Sequence, residues 1–243
     1  MEQKIQKINY NVSKRKVLHC GQKSFTNGYV QKATTIEELH DDICAGKSIW
    51  PVKTYPYEGF NRRETEHVLS ANILIMNICG NYSYEEACQR FQESAIAVYE
   101  TVENDKIRVR VIFSFGEDLK RTEYEYLLNI ISLEYGHHSN CQDPAHAYIN
   151  SKIINWKSLN TQNRMPISEL FSKYIFKEQF NSKFINKWEP DDSFSSFLSF
   201  QKNIIKRYNI PLQPDKQSVF DSKFIDIMEP ENQEFPVYLG RAN

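Results

Sequence analysis

Ser70-Ala-Asn-Ile-Leu-Ile-Met-Asn-Ile-Cys-Gly-Asn-Tyr-Ser-Tyr-Glu-Glu-Ala-Cys-Gln-Arg-Phe91 is the stretch on which the reading of this chain turns. Its first part, Ile73 to Ile78, is a short apolar run rich in β-branched residues, the pattern of a buried strand. Gly80-Asn81 breaks the run. Ser83 with Glu86 three residues on matches a helix capping box, and the helix that follows presents Ala87, Cys88 and Phe91 to a core. The unit is strand, tight turn, helix. In such units chemistry gathers where the strand ends, here at Met76 to Gly80.

Upstream, Val17-Leu18-His19-Cys20 is a strand candidate, and Gly21 and Asn27-Gly28 punctuate a hairpin. Thr35-Ile-Glu-Glu38 is a second capping box, with a helix to about Ala45-Gly46. Ser48 to Lys53 reads as an edge strand, because Pro51 cannot donate to a ladder. Residues 54–69 form a polar loop. Downstream, Ala95 to Tyr99 is extended, Glu103-Asn104-Asp105 turns, and Lys106-Ile-Arg-Val-Arg-Val-Ile-Phe-Ser-Phe115 alternates as a strand. Ile107, Val109, Val111 and Phe113 share one face; Lys106, Arg108, Arg110 and Ile112 share the other. Thr122 with Glu125 starts a helix to about Tyr135, ended by Gly136. Ala147 to Ile149 reads as a short strand, and helices are expected at about 167–180 and 192–208, the second capped by Asp191 or Asp192. Leu127, Leu128 and Ile131 face the sheet, and the Pro-rich tail from Pro211 reads as an irregular strap.

This order predicts an α+β fold with a mainly antiparallel sheet and helices packed on one face. The expected division is an α+β domain over residues 1–164 and a helical segment with an irregular tail over 165–243. The 40% hydrophobic content supports a real core, and a net charge of -1 gives no whole-molecule pull toward nucleic acid. Any such binding must come from a local basic face. Five scattered cysteines make no disulfide framework. No apolar run reaches the roughly 18–20 residues of a membrane span, and Met1 to Lys7 is not an apolar signal region. A cytoplasmic protein without membrane contact is the expectation. Oligomeric state is not written in the sequence.

The central stretch resembles the first motif of the archaeo-eukaryotic-type primase (primase-polymerase) domains of plasmid, phage and mobile-element replication proteins. Those read as an apolar strand, Asp-x-Asp, a short turn, and a helix beginning Ser/Thr-x-Glu-Glu-Ala. A second landmark, a Ser/Thr-His pair ahead of a strand like Arg-Phe-Arg-Val-Val-Phe, is matched by Arg108-Val-Arg-Val-Ile-Phe113, while Thr101-Val102 keeps the hydroxyl without the histidine. A third, like Asp-Pro-Ala-Cys-x-Asp-Pro-Ala-Arg, is similar to His138-Ser-Asn-Cys-Gln-Asp-Pro-Ala-His146. The resemblance covers roughly residues 35–150 and implies an RRM-like primase palm.

Primer synthesis uses two divalent ions, and magnesium or manganese would be held by carboxylate oxygens. Asn77, Cys79 and His138 stand at the family's acid positions. The resemblance therefore implies a degenerate, non-catalytic primase-like protein, without a cofactor, that binds nucleic acid or a replication partner. Two alternatives remain. One is an active nucleotidyltransferase with rewired metal ligands drawn from Asp143, Glu103 or Asp105. The other is a protein-interaction module or inhibitor that mimics a primase.

Arg62 and Arg63 lie where similar proteins contact nucleotide phosphates, and Lys106, Arg108 and Arg110 line one strand face. These five are the candidate nucleic-acid contacts, against a plain reading of a solvated face paired with Glu100 and Glu103. Lys202, Lys206 and Arg207, on a helix with Phe197 and Phe200, form a second basic group or simply the polar side of an amphipathic helix. Cys79, His138, Cys141 and His146 make a zinc site chemically conceivable, although no further ligand follows His146 at knuckle spacing. His137 and His138 near Cys141 carry no nucleophile-elbow signature, and no Walker-type loop is present.

Overall fold

The computed structural model describes residues 7–20, 22, 28–55, 63–78, 82–103, 105–135, 142–177, 180–181 and 193–211. Gly80-Asn81, Gly136, the Asp191/Asp192 cap and the tail beyond Pro211 lie outside these residues. In chain order the elements are β1 (Ile8–Lys16), β2 (Tyr29–Thr34), α1 (Ile36–Cys44), β3 (Lys47–Trp50), β4 (Lys53–Thr54) and β5 (Val68–Ile78). They continue with α2 (Tyr84–Arg90), β6 (Ala97–Glu103), β7 (Lys106–Lys120), α3 (Arg121–Tyr135), β8 (Lys152–Ser158), α4 (Ile167–Tyr174) and α5 (Ser193–Arg207).

The fold is α+β, and every strand pair among the described residues is antiparallel. A five-stranded sheet runs β4-β5-β7-β6-β8, and a three-stranded sheet runs β2-β1-β3. The central run behaves as its sequence predicts, with Ala71 and Ile73 to Met76 fully buried. Because alternate strand residues face opposite ways, β5 serves two cores. Leu74, Met76 and Ile78 join a cluster with Val98, Val111, Phe113, Leu127 and Ile131. Ile73 and Ile75 join a second cluster with Tyr10, Val12, Leu39, Ile49, Tyr99 and Ile112. Each such side chain contributes about 1.5–3 kcal/mol on burial. Helices cover one face of the larger sheet, as expected, but the other face is covered by α1 and the second sheet. That second layer corrects the single-sheet expectation.

Several local expectations change for identifiable reasons. The first strand is Ile8–Lys16, and not Val17 to Cys20. Ile8, Tyr10 and Val12 alternate with Asn9, Asn11 and Ser13, and asparagine is a poor strand former, yet Asn11 is buried and donates Nδ2–H to the Val52 carbonyl at 2.8 Å. The hairpin expected around Asn27-Gly28 joins β1 to β2. The Ser83/Glu86 capping box forms in both directions, whereas Thr35 caps α1 without a side-chain bond. At α3 the start is one residue earlier than read, and Glu123 accepts the Lys120 backbone N–H at 2.8 Å.

Strand β7 runs five residues past Phe115 through an irregularity at Gly116, which has φ +76°. Ala147 to Ile149 makes only one bridge, Ile49 to Tyr148. Strand β8 carried no signal, because its residues are mostly exposed and it forms the sheet's edge.

Beyond the expected boundary at Met165-Pro166 the chain turns helical, with α4 ending at Tyr174. Leu170, Phe171, Phe197, Phe200 and Ile204 enter the same cluster as Leu127 and Ile131. Arg207 fixes α5 to the rest, donating to Glu123 at 2.6 and 2.8 Å and to Glu117 at 2.7 Å. No helix among the described residues is long and apolar enough to cross a membrane.

Candidate functional site

Antiparallel pairing lays four side chains in one row across the larger sheet. Asn77 on β5 pairs with Arg110 on β7, Arg110 with Tyr99 on β6, and Tyr99 with Trp156 on β8. Residues in register share a face, and this face is the one turned toward the smaller sheet. Tyr99 and Trp156 stack at 5.4 Å between ring centroids. The row marks the strand end at which the sequence places its chemistry.

Arg110 dominates it. The guanidinium has no exposed surface. It donates to the Ile149 carbonyl at 2.7 Å, to Asn150 Oδ1 at 2.9 Å and to Glu103 Oε2 at 2.8 Å. Its Cζ lies 5.2 Å from the Tyr148 ring centroid, a cation–π contact. Burial works against this charge; Tyr99 and Glu103 outweigh it and raise the pKa above the ordinary arginine value. Asn150, fully buried, also accepts from Tyr99 Oη at 3.1 Å and donates to the Lys47 carbonyl at 3.0 Å. One arginine and one asparagine therefore tie the larger sheet, the 147–150 segment and the smaller sheet together.

The third motif acts as a second tie. Asp143 accepts from Thr65 Oγ1 and from the Ala145 N–H, each at 2.8 Å. Trp50 Nε1 donates to the Pro144 carbonyl at 2.7 Å, and Arg63 donates to the Ala145 carbonyl at 2.7 Å. Arg63 is half-buried beside the Tyr29 ring; burial lowers its pKa against the opposing pull of Tyr29 and Asp143. His146 packs edge-on against Tyr148 at 4.8 Å.

Of the positions singled out by sequence, Asn77 is buried in the row, while Cys79, His138, Cys141 and Arg62 lie outside the described residues. Arg110 leaves the set of surface contacts, since a guanidinium with no exposed area cannot reach a phosphate. Arg108 is half-buried, 3.7 Å from Glu103, and Lys106 is exposed at the hairpin tip. Among the acids of the rewired-ligand alternative, Glu103 faces Arg110 and Asp143 is engaged by Thr65. Asp105 sits in the hairpin turn at φ 60°. Among the described residues no three of His, Cys, Asp and Glu are grouped to hold a metal. Thr101 is buried and donates to the Lys152 carbonyl at 3.0 Å, closing β8 onto β6.

Sequence reasoning weighed Glu103 as a partner for this basic face but placed the pair in solvent, and it missed Asn150. The signal was present in Ile112, which shares the face of Arg110 and is fully buried. A face holding both is solvated at one end and dry at the other.

No family model matches the chain, and no curated protein matches it. Among solved structures, the chain is similar to the AEP domain of cyanophage S-2L primase-polymerase (PrimPol), at 8% identity and a TM-score of 0.39. The match covers 70% of this chain and 89% of that one. A likeness this slight assigns neither a fold family nor an activity.

Proposed function

We propose that this protein is a primase-like protein that does not synthesise primers and that binds nucleic acid in replication. The observation that carries the reading is the buried Arg110 beside Asn77. In the resembling families this strand end holds acids that bind magnesium. Here an amide stands in register with a fixed cation, and the nearby carboxylate, Glu103, is bonded to that cation. A divalent ion placed in this row would meet Coulomb repulsion from the guanidinium, which grows as burial lowers the effective dielectric. Amide oxygens also replace carboxylates poorly for so hard an ion.

The test is a primer-synthesis assay on the full chain with labelled nucleotides, a single-stranded template, and magnesium or manganese. No incorporation is expected, together with salt-sensitive binding to the same template. Incorporation that disappears in Asp143→Ala, and survives a distant surface change, would overturn the non-catalytic reading.

A further inference from the structure

We infer that the exposed end of β1, Lys14-Arg15-Lys16, is a contact surface for a nucleic-acid phosphate backbone. The inference rests on the nucleic-acid reading above and gives it a location away from the row at Arg110.

All three side chains are exposed, and among the described residues none has an acidic partner. Lys120, Lys152 and Lys157 are likewise exposed and have no acidic partner among the described residues, but they do not stand three in a row, and many other cations are matched. Arg108 and Arg110 face Glu103, Arg121 faces Glu125, Lys173 faces Glu134, and Arg207 is held by Glu117 and Glu123. The nearest buried acid to the β1 end, Asp42, is already committed. It accepts from Lys32 at 2.5 Å, Lys47 at 2.7 Å and Tyr10 at 2.9 Å.

The strand pairing adds a second, independent point. Lys16 stands directly opposite Lys47 in register. Like charges directly opposite across a ladder are destabilising. The fold separates them by turning Lys47 to Asp42 and laying the Lys16 stem over Gly46. A β-carbon at Gly46 would come within 2.7 Å of Lys16 Cε. The Lys14 backbone N–H bonds to the Gly28 carbonyl at 3.2 Å, so the backbone that presents these charges is held in place. The β1–β3 register shifts between Val12 and Lys16, so the three exposed side chains sit on an irregular strand end. Three unmatched cations around one strand end offer point charges and an arginine fork for phosphate oxygens. A lipid surface would need apolar anchors beside them, and among the described residues from Lys14 to Cys20, Leu18 is the one large apolar side chain that is exposed.

The test uses the full chain and fluorescein-labelled oligo(dT), with binding read by anisotropy across a salt series. The variant combines Lys14→Ala, Arg15→Ala and Lys16→Ala; circular dichroism and thermal unfolding confirm its fold. A matched control combines Lys120→Ala, Lys152→Ala and Lys157→Ala, removing the same charge from other exposed positions. The β1 variant is expected to bind about tenfold or more weakly at low salt, with the slope of log K against log salt falling by about 2. The control is expected to shift both far less. Equal losses in the two variants, or none in the β1 variant, would overturn the inference while leaving the nucleic-acid reading intact. Wild-type protein that ignores oligo(dT) at low salt would overturn both. Wild-type binding to phosphatidylserine vesicles alone, lost in the β1 variant, would transfer this surface to a membrane and sink the inference.

Discussion

Arg110, a member of the row of aligned side chains, meets Glu103 at 2.8 Å, the arginine wholly buried and the glutamate side chain 15% exposed. Breaking such a pair strands a charge. Glu103→Gln or Arg110→Met is each expected to cost about 3–5 kcal/mol, the range for removing one partner of a buried ion pair. The double variant should cost less than the sum of the two, because the second change removes the stranded partner. Urea unfolding of all three variants measures this, and simple additivity would contradict it.

Asp42 supplies a pH test. Burial alone would raise its pKa; the hydrogen bonds from Lys32, Lys47 and Tyr10 outweigh it and bring the pKa below the ordinary value. A carboxylate with a depressed folded pKa contributes stability that is full above the unfolded value, about 3.9. The contribution is lost as pH falls through the folded value. Wild type should therefore exceed Asp42→Asn in stability by a constant margin above about pH 5, and the margin should shrink below about pH 4. Chemical unfolding at a series of pH values reads the margin, and one that grew on acidification would reverse the assignment.

Arg207 anchors α5 through Glu117, Glu123 and the Asp118 carbonyl. About a third of its side chain is exposed, so solvent screening reduces the worth of these bonds. Arg207→Ala is expected to cost about 1–2 kcal/mol. The loss should be local: amide exchange should accelerate in Ser193–Arg207 before it does in β5. Uniform acceleration across the chain would show that the anchor serves the whole fold.

Gly116 carries the irregularity that lets β7 continue to Lys120. Its φ of +76° lies in the left-handed region, and an added β-carbon would stand 2.8 Å from Arg164 Nε. Gly116→Ala is expected to cost about 1–2 kcal/mol from the backbone alone. Pairing it with Arg164→Ala should relieve only the side-chain contact. Full recovery of thermal stability in the double variant would place the cost in that contact and not in the backbone.

How far the sequence could be read follows from where each signal was stored. Ile73 to Ile78 and Lys106 to Phe115 declare their strands locally, by composition and by alternation. So does the Ser83/Glu86 box. Strand β1 alternates Ile8, Tyr10 and Val12 with Asn9, Asn11 and Ser13, but asparagine is depleted in strands, and its second face is held by long-range bonds such as Asn11 to Val52 that the sequence does not display. Strand β8 pairs only with β6 and buries little, so hydrophobic pattern cannot reveal it. At the site, period-two alternation placed Arg110 correctly on the face of Ile112. It could not say that the smaller sheet covers that face, since the cover comes from residues 8–50. Arg110 therefore changed from a surface contact to a buried tie.

Because β5 is clad on both sides, its protection is completed in two instalments during translation. Residues 8–50 precede it from the ribosome, so the side bearing Ile73 and Ile75 has its cover at hand when the strand appears. The opposite side, with Leu74, Met76 and Ile78, takes its helical cover from α3, through Leu127 and Ile131, about 50 residues further along. At about 5–20 residues per second, that cover follows after roughly three to ten seconds. Until then the nascent chain displays an oily flank, and binding by chaperones that shield growing polypeptides is the expected outcome.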